Sequence, residues 1–269
     1  MPTVSYRHYS GTAAENYQRY FVPAIAEPVS VPLLATAALR PGERVLDVGC
    51  GTGVIARRAA ERVGPAGAVT AIDLSPDMIE VARATPAPAA PPIEWHVGEA
   101  VSLPFPDGAY DVVLCQMALM FMENRAAAVA EMRRVLKPGG RVVVSTPGPI
   151  QPVFEALERA IVEHIGADLG MFVRAVFSMP DPDAVAALLR EAALQKVTGS
   201  VSRVRLRLPS PSEFLWQYIS VTPLAPLVAQ APEAAQQAME HQVVEAWKPH
   251  VAGGMLEGEQ PMVVVSGWK

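Results

Sequence analysis

The stretch that most constrains the fold is RVLDVGCGTG, in which a short apolar run leads directly into three alternating glycines. An apolar run of this length is typical of a strand that is buried on both faces of a parallel sheet. Glycine loses more conformational entropy on folding than any other residue, so three in five positions need a structural reason. We predict a tight turn at the carboxyl end of this strand, where ligands of open parallel sheets bind.

The pattern after this turn alternates between helix and strand periods, which indicates a mostly parallel α/β sheet covered by helices. Gly64 is placed to end the first helix, Ser75 and Asn124 are placed to cap the next two, and an aspartate begins the helix DPDAVAALLREAAL. The predicted strands after the first are AVTAID, IEWHVGEA, YDVVLCQ, RVVVST, QKVTGSVSRVRLRL and the terminal PMVVVSGWK.

Two segments, 150–180 and 209–258, do not follow the alternation and contain amphipathic helical pieces. We interpret them as insertions, which either cover the ligand site as a lid or pair with a second subunit. The predicted organisation is an N-terminal helical segment 1–43, a core 44–149, a cap insertion 150–180, a core continuation 181–208, a cap insertion 209–258 and a terminal strand 259–269.

Composition excludes several classes of function. The net charge of −5 argues against a nucleic-acid-binding surface, which is normally basic. Two cysteines and five scattered histidines favour reduced thiols in a cytoplasmic protein and no metal site. The apolar stretch VVLCQMALMFM is too short to span a bilayer, and the N-terminus has no secretory apolar region, so no membrane span is expected.

The glycine spacing distinguishes between two kinds of nucleotide ligand. A dinucleotide motif, G-x-G-x-x-G, would place its third glycine at Val54, whereas here it falls at Gly53. Asp73, at the end of the second strand, is placed to accept hydrogen bonds from both ribose hydroxyls of a nucleoside. The alternatives are an ordinary tight turn for the glycines and a helix-start carboxylate for Asp73.

Four motifs in order, VLDVGCGTG, AIDLSPDMIEVAR, FPDGAYDVVLC and EMRRVLKPGGRVVVS, resemble those of class I S-adenosylmethionine-dependent methyltransferases. The resemblance covers residues 44–146 and is greatest with the ubiquinone/menaquinone-biosynthesis-like, or type 11, group. It implies a Rossmann-like α/β fold with a seven-stranded sheet, mostly parallel with the last strand antiparallel, and helical cap insertions. It also implies S-adenosylmethionine as cofactor and S-adenosylhomocysteine as product.

The resemblance assigns cofactor-binding roles to residues at the carboxyl ends of the strands. The implied set is Gly49, Gly51 and Gly53 along the methionine part, Asp47 ordering the loop and holding the amino group, Asp73 on the ribose, Leu74 and Met78 on the adenine ring, Glu99 and Ala100 at the adenine amino group, and Gln116 facing the cofactor. Glu99 departs from the family's usual aspartate. Tyr9, Tyr17 and Tyr20 belong to a segment that closes over the cofactor in relatives, or else pack as an amphipathic helix.

The segment after the fourth strand is a candidate binding site for the methyl acceptor, because methionine adapts its shape to apolar partners. Met117, Met120 and Phe121 there, with Tyr218 from the second insertion, are candidate acceptor-binding residues, although ordinary core packing explains the same pattern. We expect a methyltransferase for a small, largely apolar metabolite, acting as a monomer or homodimer. The alternatives are a cofactor-binding protein of the same fold with a non-methylating role such as cyclisation, and a protein methyltransferase. No catalytic base is assigned.

Overall fold

The computed structural model describes residues 12–87 and 91–269, so that Tyr9 lies outside the described residues. Its strands alternate with helices through the first part of the chain, as predicted. The strands are β1 (Arg44–Val48), β2 (Ala68–Asp73), β3 (Ile93–Val97), β4 (Tyr110–Gln116), β5 (Leu136–Pro147), β6 (Gln195–Leu208), β7 (Val251–Ala252) and β8 (Met255–Trp268).

The strands form one sheet in the order β3-β2-β1-β4-β5-β8-β6, with the two-residue β7 added beside β8. The pairs among β1 to β5 are parallel, whereas β8 is antiparallel to β5. The predicted mostly parallel sheet with an antiparallel last strand is therefore confirmed, with β7 as an eighth, very short strand. The terminal strand begins at Met255, four residues before the start expected from the sequence.

Helices connect the strands, and several of their ends have the predicted caps. The helices are α1 (Ala13–Asn16), a π-helical segment (Tyr17–Ala26), α2 (Glu27–Ala37), α3 (Val54–Val63), α4 (Pro76–Ala84), α5 (Arg125–Val135), α6 (Pro152–His164), α7 (Gly170–Val176), α8 (Pro182–Glu191), α9 (Pro211–Ser220), α10 (Ala225–Gln230) and α11 (Glu233–Trp247). Ser75 Oγ accepts from the Met78 amide at 3.3 Å and Asn124 Oδ1 from the Ala127 amide at 3.0 Å. Both predicted N-caps are thus confirmed.

The main core lies where α2 and α3 pack on one face of the sheet. Val45, Val112 and Val143 point toward this face from three neighbouring strands. The buried face of α3 consists of Ile55, Ala56, Ala59, Ala60 and Val63. Because three of these five side chains are single methyl groups, the helix can lie close to the sheet, and its amino end is held at the carboxyl end of β1.

The chain divides into two compact units. The first, which we call the cap unit, comprises the described part of Met1–Pro28 together with Ile150–Phe177 and Val204–Gln260. The second, which we call the sheet unit, comprises Val29–Pro149, Ser178–Arg203 and Pro261–Lys269. Within the cap unit α6 packs on α11, and Trp247 of α11 is fully buried with its Nε1 donating to the Val153 carbonyl at 2.8 Å.

One helical run, which lies within the expected N-terminal segment 1–43, has an apolar length that the sequence analysis did not anticipate. Ala13–Ala37 is long and apolar enough, by length and composition, to cross a membrane, and 44% of its most apolar window is buried. A core helix of a soluble protein passes the same test, so this run is weak evidence for a membrane span.

An ion pair between the buried Arg141 and the partly buried Glu43 connects β5 to the residue that precedes β1. The Arg141 guanidinium of β5 donates to both carboxylate oxygens of Glu43 at 2.8 and 3.0 Å and to the carbonyls of Ala37 and Ala38. It also lies 5.8 Å from the ring centroid of Trp268. Burial raises the pKa of Glu43, but hydrogen bonds from Arg141 and the Arg40 amide outweigh this and hold it below its usual value.

Replacing Arg141 with methionine should lower the free energy of unfolding by about 3 kcal/mol, because the partly buried Glu43 and the carbonyls of Ala37 and Ala38 would lose their donor. The loss should shrink as the pH falls, since a carboxyl group with a lowered folded pKa stabilises only above its unfolded pKa. Urea denaturation at several pH values measures both effects. Arg58→Met, which removes an exposed arginine paired with Glu61, is the control and should change stability little. An Arg141 variant as stable as the wild type at pH 7 would contradict this account.

Candidate functional site

The glycine loop after β1 turns back sharply and is held by main-chain hydrogen bonds. The amides of Gly49 and Cys50 both donate to the Ile72 carbonyl, at 2.8 and 3.1 Å, and the Gly53 amide donates to the Cys50 carbonyl at 2.9 Å. Gly49, Gly51 and Gly53 have φ values of +69°, +53° and +87°. This left-handed region is one that glycine enters without steric cost, which explains the alternation of glycines.

At two of these glycines, close neighbours leave no room for a side chain, which is a second reason for glycine there. A Cβ at Gly49 would collide with the Cβ of Ala118, which follows β4, and would lie 3.9 Å from the Met122 methyl. A Cβ at Gly53 would collide with the indole ring of Trp95 in β3. The loop is therefore packed tightly from both sides, and its main chain lies directly against the segment that follows β4.

Asp73 connects the glycine loop to the end of β2. Its Oδ2 accepts from the Gly51 amide at 2.7 Å and its Oδ1 accepts from the Ser75 amide at 2.9 Å. The Ser75 contact is the one expected of a helix-start carboxylate, whereas the Gly51 contact is not. Burial raises the pKa of Asp73, against the opposing effect of the amides of Ser75, Gly51 and Leu74. Each carboxylate oxygen retains a second lone pair for a further donor.

Asp47, the last acidic residue before the glycines, is fully buried. Within residues 12–87 and 91–269, neither of its carboxylate oxygens has a hydrogen-bond partner, and the same is true of the buried Thr52 hydroxyl in the loop. The pKa of Asp47 is raised to about 7, mainly by burial and also by the nearby charge of Asp73, against the opposing effects of the Ala56 amide and Arg57. An unsatisfied buried carboxylate is costly and favours a cationic partner.

The predicted adenine-side residues lie on neighbouring loops. Asp73 of β2 is in register with Val97 of β3, and the Gly98 amide donates to the Asp73 carbonyl at 2.9 Å. This pairing brings the two strand ends together. Leu74 and Glu99 are exposed there, Leu74 to 68%, while Met78 and Ala100 are half-buried.

The segment after β4 begins with an unusual backbone conformation. Gln116 is buried and in register with Ser145 of β5, and Met117 follows with a φ of +51° while its amide donates to the Ser145 carbonyl at 2.8 Å. Non-glycine residues in this region are uncommon and are often found at functional sites. Met120 is only 3% exposed, whereas Phe121 is 51% exposed, so the two candidate acceptor contacts have very different surroundings.

Arg125 holds this segment in place. Its Nη2 donates to the Met120 carbonyl at 2.9 Å and lies 3.3 Å from the Ser178 hydroxyl. The sequence analysis did not single out Arg125, Trp95 or Ala118. The small size of Ala118 is the one sequence signal that could have indicated its close approach to Gly49.

Tyr17 and Tyr218, the remaining predicted site residues, belong to the cap unit. Tyr17 stacks on Phe21 with ring centroids 4.8 Å apart, and Phe21 lies 6.4 Å from Tyr218. We call the group around Tyr218 the aromatic cluster; it consists of Phe21, Phe154, Phe177, Phe214, Tyr218 and Trp247. No group of three or more potential metal ligands occurs within the described part of the chain.

Comparisons with known proteins agree with this architecture. Residues 45–140 match the family model of the methyltransferase domain. The chain is 33% identical over 175 residues to the ubiquinone/menaquinone biosynthesis C-methyltransferase UbiE of Bordetella parapertussis, covering 61% of this chain and 68% of the relative. It is 30% identical over 258 residues to the nocamycin O-methyltransferase of Saccharothrix syringae, covering 89% of this chain and 90% of the relative.

A solved structure shows the same fold at lower identity. The phosphoethanolamine N-methyltransferase 2 of Haemonchus contortus, solved with S-adenosyl-L-methionine, superposes with a TM-score of 0.59 at 16% identity, covering 100% of this chain and 60% of that one. This superposition shows the fold, and the two relatives identify the family. The chain belongs to the class I S-adenosylmethionine-dependent methyltransferases, in their ubiquinone/menaquinone-biosynthesis-like group.

Proposed function

We propose that this S-adenosylmethionine-dependent methyltransferase acts on a small, largely apolar molecule, with its cofactor on the glycine loop. The observation that carries the cofactor site is the buried Asp47 carboxylate, which has no hydrogen-bond partner among the residues described and lies at the start of that loop. A small-molecule acceptor is supported by the names of the two relatives, and its apolar character by the methionine-rich segment after β4.

The residues present fit a cationic nucleoside. Asp47 would hold the loop and pair with the ammonium group, and the main chain at Gly49, Gly51 and Gly53 would lie along the methionine part. Asp73, already fixed by the Gly51 and Ser75 amides, would accept from the ribose hydroxyls with its remaining lone pairs. The other proposed contacts are Leu74, Met78, Glu99 and Ala100 at the adenine ring, Gln116 beside the cofactor, and Tyr17 over it.

Methyl transfer requires little from the protein beyond correct positioning of the acceptor and the cofactor. The bound cofactor supplies a methyl group on a sulfonium, which is a strong electrophile. The chain's own residues orient the acceptor in line with that methyl and exclude water. Met117 and Phe121 are proposed acceptor contacts, and Met120 supports them from the core side. We assign no general base, because a base is needed only for an acceptor that must lose a proton.

The proposal is tested by calorimetry with S-adenosylhomocysteine and with NADH, followed by incubation of the enzyme with radiolabelled cofactor and a metabolite extract. We expect micromolar binding of S-adenosylhomocysteine only, and label in an organic-soluble small molecule. Label in protein would favour a protein methyltransferase, and binding without any transfer would favour a non-methylating role such as cyclisation. Tighter binding of NADH would overturn the cofactor site.

That the protein is cytoplasmic, and that it is a monomer or a homodimer, stay predictions from the sequence.

Replacing Asp73 with alanine should weaken S-adenosylhomocysteine binding by roughly 1.5–3 kcal/mol, about ten- to a hundred-fold, because two charge-assisted hydrogen bonds are lost. Isothermal titration calorimetry of the folded variant gives the affinity. Asp77→Ala removes an exposed carboxylate from the first turn of α4 and is the matched control, which should bind like the wild type. If the Asp73 variant bound equally well, this residue would be only a helix-start carboxylate.

Replacing Asp47 with asparagine should stabilise the ligand-free protein more at pH 8 than at pH 5. Burial raises the pKa of Asp47 to about 7. The folded state therefore binds more protons than the unfolded state between about pH 4 and 7, and wild-type stability falls as the pH rises through that window. The difference from the variant should grow by roughly 2–4 kcal/mol across it. Denaturant titrations of both proteins and of Asp77→Asn measure this; a pH-independent difference would show that Asp47 ionises normally.

A further inference from the structure

The Ser145 hydroxyl, near the carboxyl end of β5, is fully buried and has no hydrogen-bond partner within residues 12–87 and 91–269. The Ser145 main chain is paired, since its carbonyl accepts from the Met117 amide at 2.8 Å. The next residue is different, because the Thr146 hydroxyl donates to the Met179 carbonyl at 2.8 Å. A buried hydroxyl without a partner costs free energy, so its presence at the end of a strand indicates a partner outside the chain.

Ser145 lies on the same face of the sheet as Asp47. Val45 of β1 and Val143 of β5 belong to one core cluster on this face. Because side chains on a strand alternate between faces, Asp47 and Ser145, each two positions further on, point to that face as well. Gln116 of β4 is in register with Ser145 and lies between them. Three neighbouring strands therefore place polar side chains together at their carboxyl ends, where open α/β sheets bind ligands.

The spacing of the sheet fits an α-amino acid between Asp47 and Ser145. Asp47 is in register with Leu114, so Ser145 lies two strands across and two residues further along. Ideal strand spacings then place the two Cα atoms about 12 Å apart. An ammonium and a carboxylate on one carbon, each with a hydrogen bond of about 2.8 Å, connect side-chain oxygens that are roughly 8–9 Å apart. The side chains of Asp47 and Ser145 are long enough to cover the remaining distance.

We propose that the Ser145 hydroxyl donates a hydrogen bond to the carboxylate of the cofactor's amino-acid end, while Asp47 pairs with the ammonium group. The residues assigned above to the methionine part offer no side-chain donor, because Asp47 only accepts and Gly49, Gly51 and Gly53 have no side chain. A hydroxyl supplies this donor without adding a second charge beside Asp47. This inference rests on the proposed function, because it concerns the same cofactor.

Two probes that differ only in the carboxylate test this contact: S-adenosylhomocysteine and its decarboxylated analogue, which keeps the ammonium group. Each is titrated by calorimetry into the wild type and into Ser145→Ala. The wild type should bind S-adenosylhomocysteine at least about tenfold more tightly than the analogue, as one hydrogen bond to a charged group allows. Ser145→Ala should weaken S-adenosylhomocysteine binding by about the same factor and leave the affinity for the analogue unchanged. A Ser145→Ala variant that keeps the wild-type preference would overturn the inference.

Thr146→Val is the matched control on the same strand, and it should keep the wild-type preference because its hydroxyl is bonded to Met179. Urea denaturation of the ligand-free proteins adds a measurement that does not depend on the cofactor. Ser145→Ala should be at least as stable as the wild type, because the hydroxyl that it removes has no partner. Thr146→Val should be less stable, because the Met179 carbonyl loses its donor. A clear loss of stability in Ser145→Ala would show that this hydroxyl has a structural role and would contradict the proposal.

The same titrations separate a failure of this inference from a failure of the proposed function. If the wild type binds S-adenosylhomocysteine and Ser145→Ala keeps the preference for it, the cofactor site stands and the Ser145 contact is wrong. If the wild type binds neither probe, the proposed cofactor site is wrong, and the Ser145 contact with it.

Discussion

The hydrogen bond from the Gly51 amide to the Asp73 carboxylate connects the two strand ends on which the candidate site is built. Parallel pairing of β1 with β2 brings Asp47 opposite Ala71 and so places the glycine loop next to the end of β2. The amides of Gly49 and Cys50, bonded to Ile72, then hold the loop in the left-handed turns that only glycine accommodates readily. With the loop fixed, α3 begins at Val54 and the remaining site residues follow from the sheet order.

Local chemistry explains why much of this could be predicted from the sequence. The spacing of Gly49, Gly51 and Gly53 predicts a left-handed backbone conformation at these positions. Ser75 and Asn124 are N-caps, and a cap acts within a single helical turn. The alternation of strand and helix periods leaves few topologies for a parallel sheet, because crossover connections are right-handed. The antiparallel last strand came from the family resemblance and not from any local pattern.

Contacts between residues distant in the sequence could not be predicted in the same way. Arg141 and Glu43 are 98 positions apart, and Trp95 reaches Gly53 only because β3 lies two strands from β1. The aromatic cluster draws on three separate segments of the cap unit, whose helices carry no motif that specifies their packing. The apolar length of the helical run Ala13–Ala37 was not anticipated, because three prolines and two glutamates interrupt its apolar sequence.

The contact between Gly49 and Ala118 affects how such an enzyme could change its choice of acceptor. Any side chain larger than alanine at position 118 would press on the main chain of the glycine loop, so a mutation there would alter both halves of the proposed reaction at once. Phe121, three residues later, is 51% exposed, so that a change of side chain there would be accommodated partly by solvent. Divergence among relatives, and directed evolution in the laboratory, would therefore be expected to vary position 121 widely while keeping position 118 small.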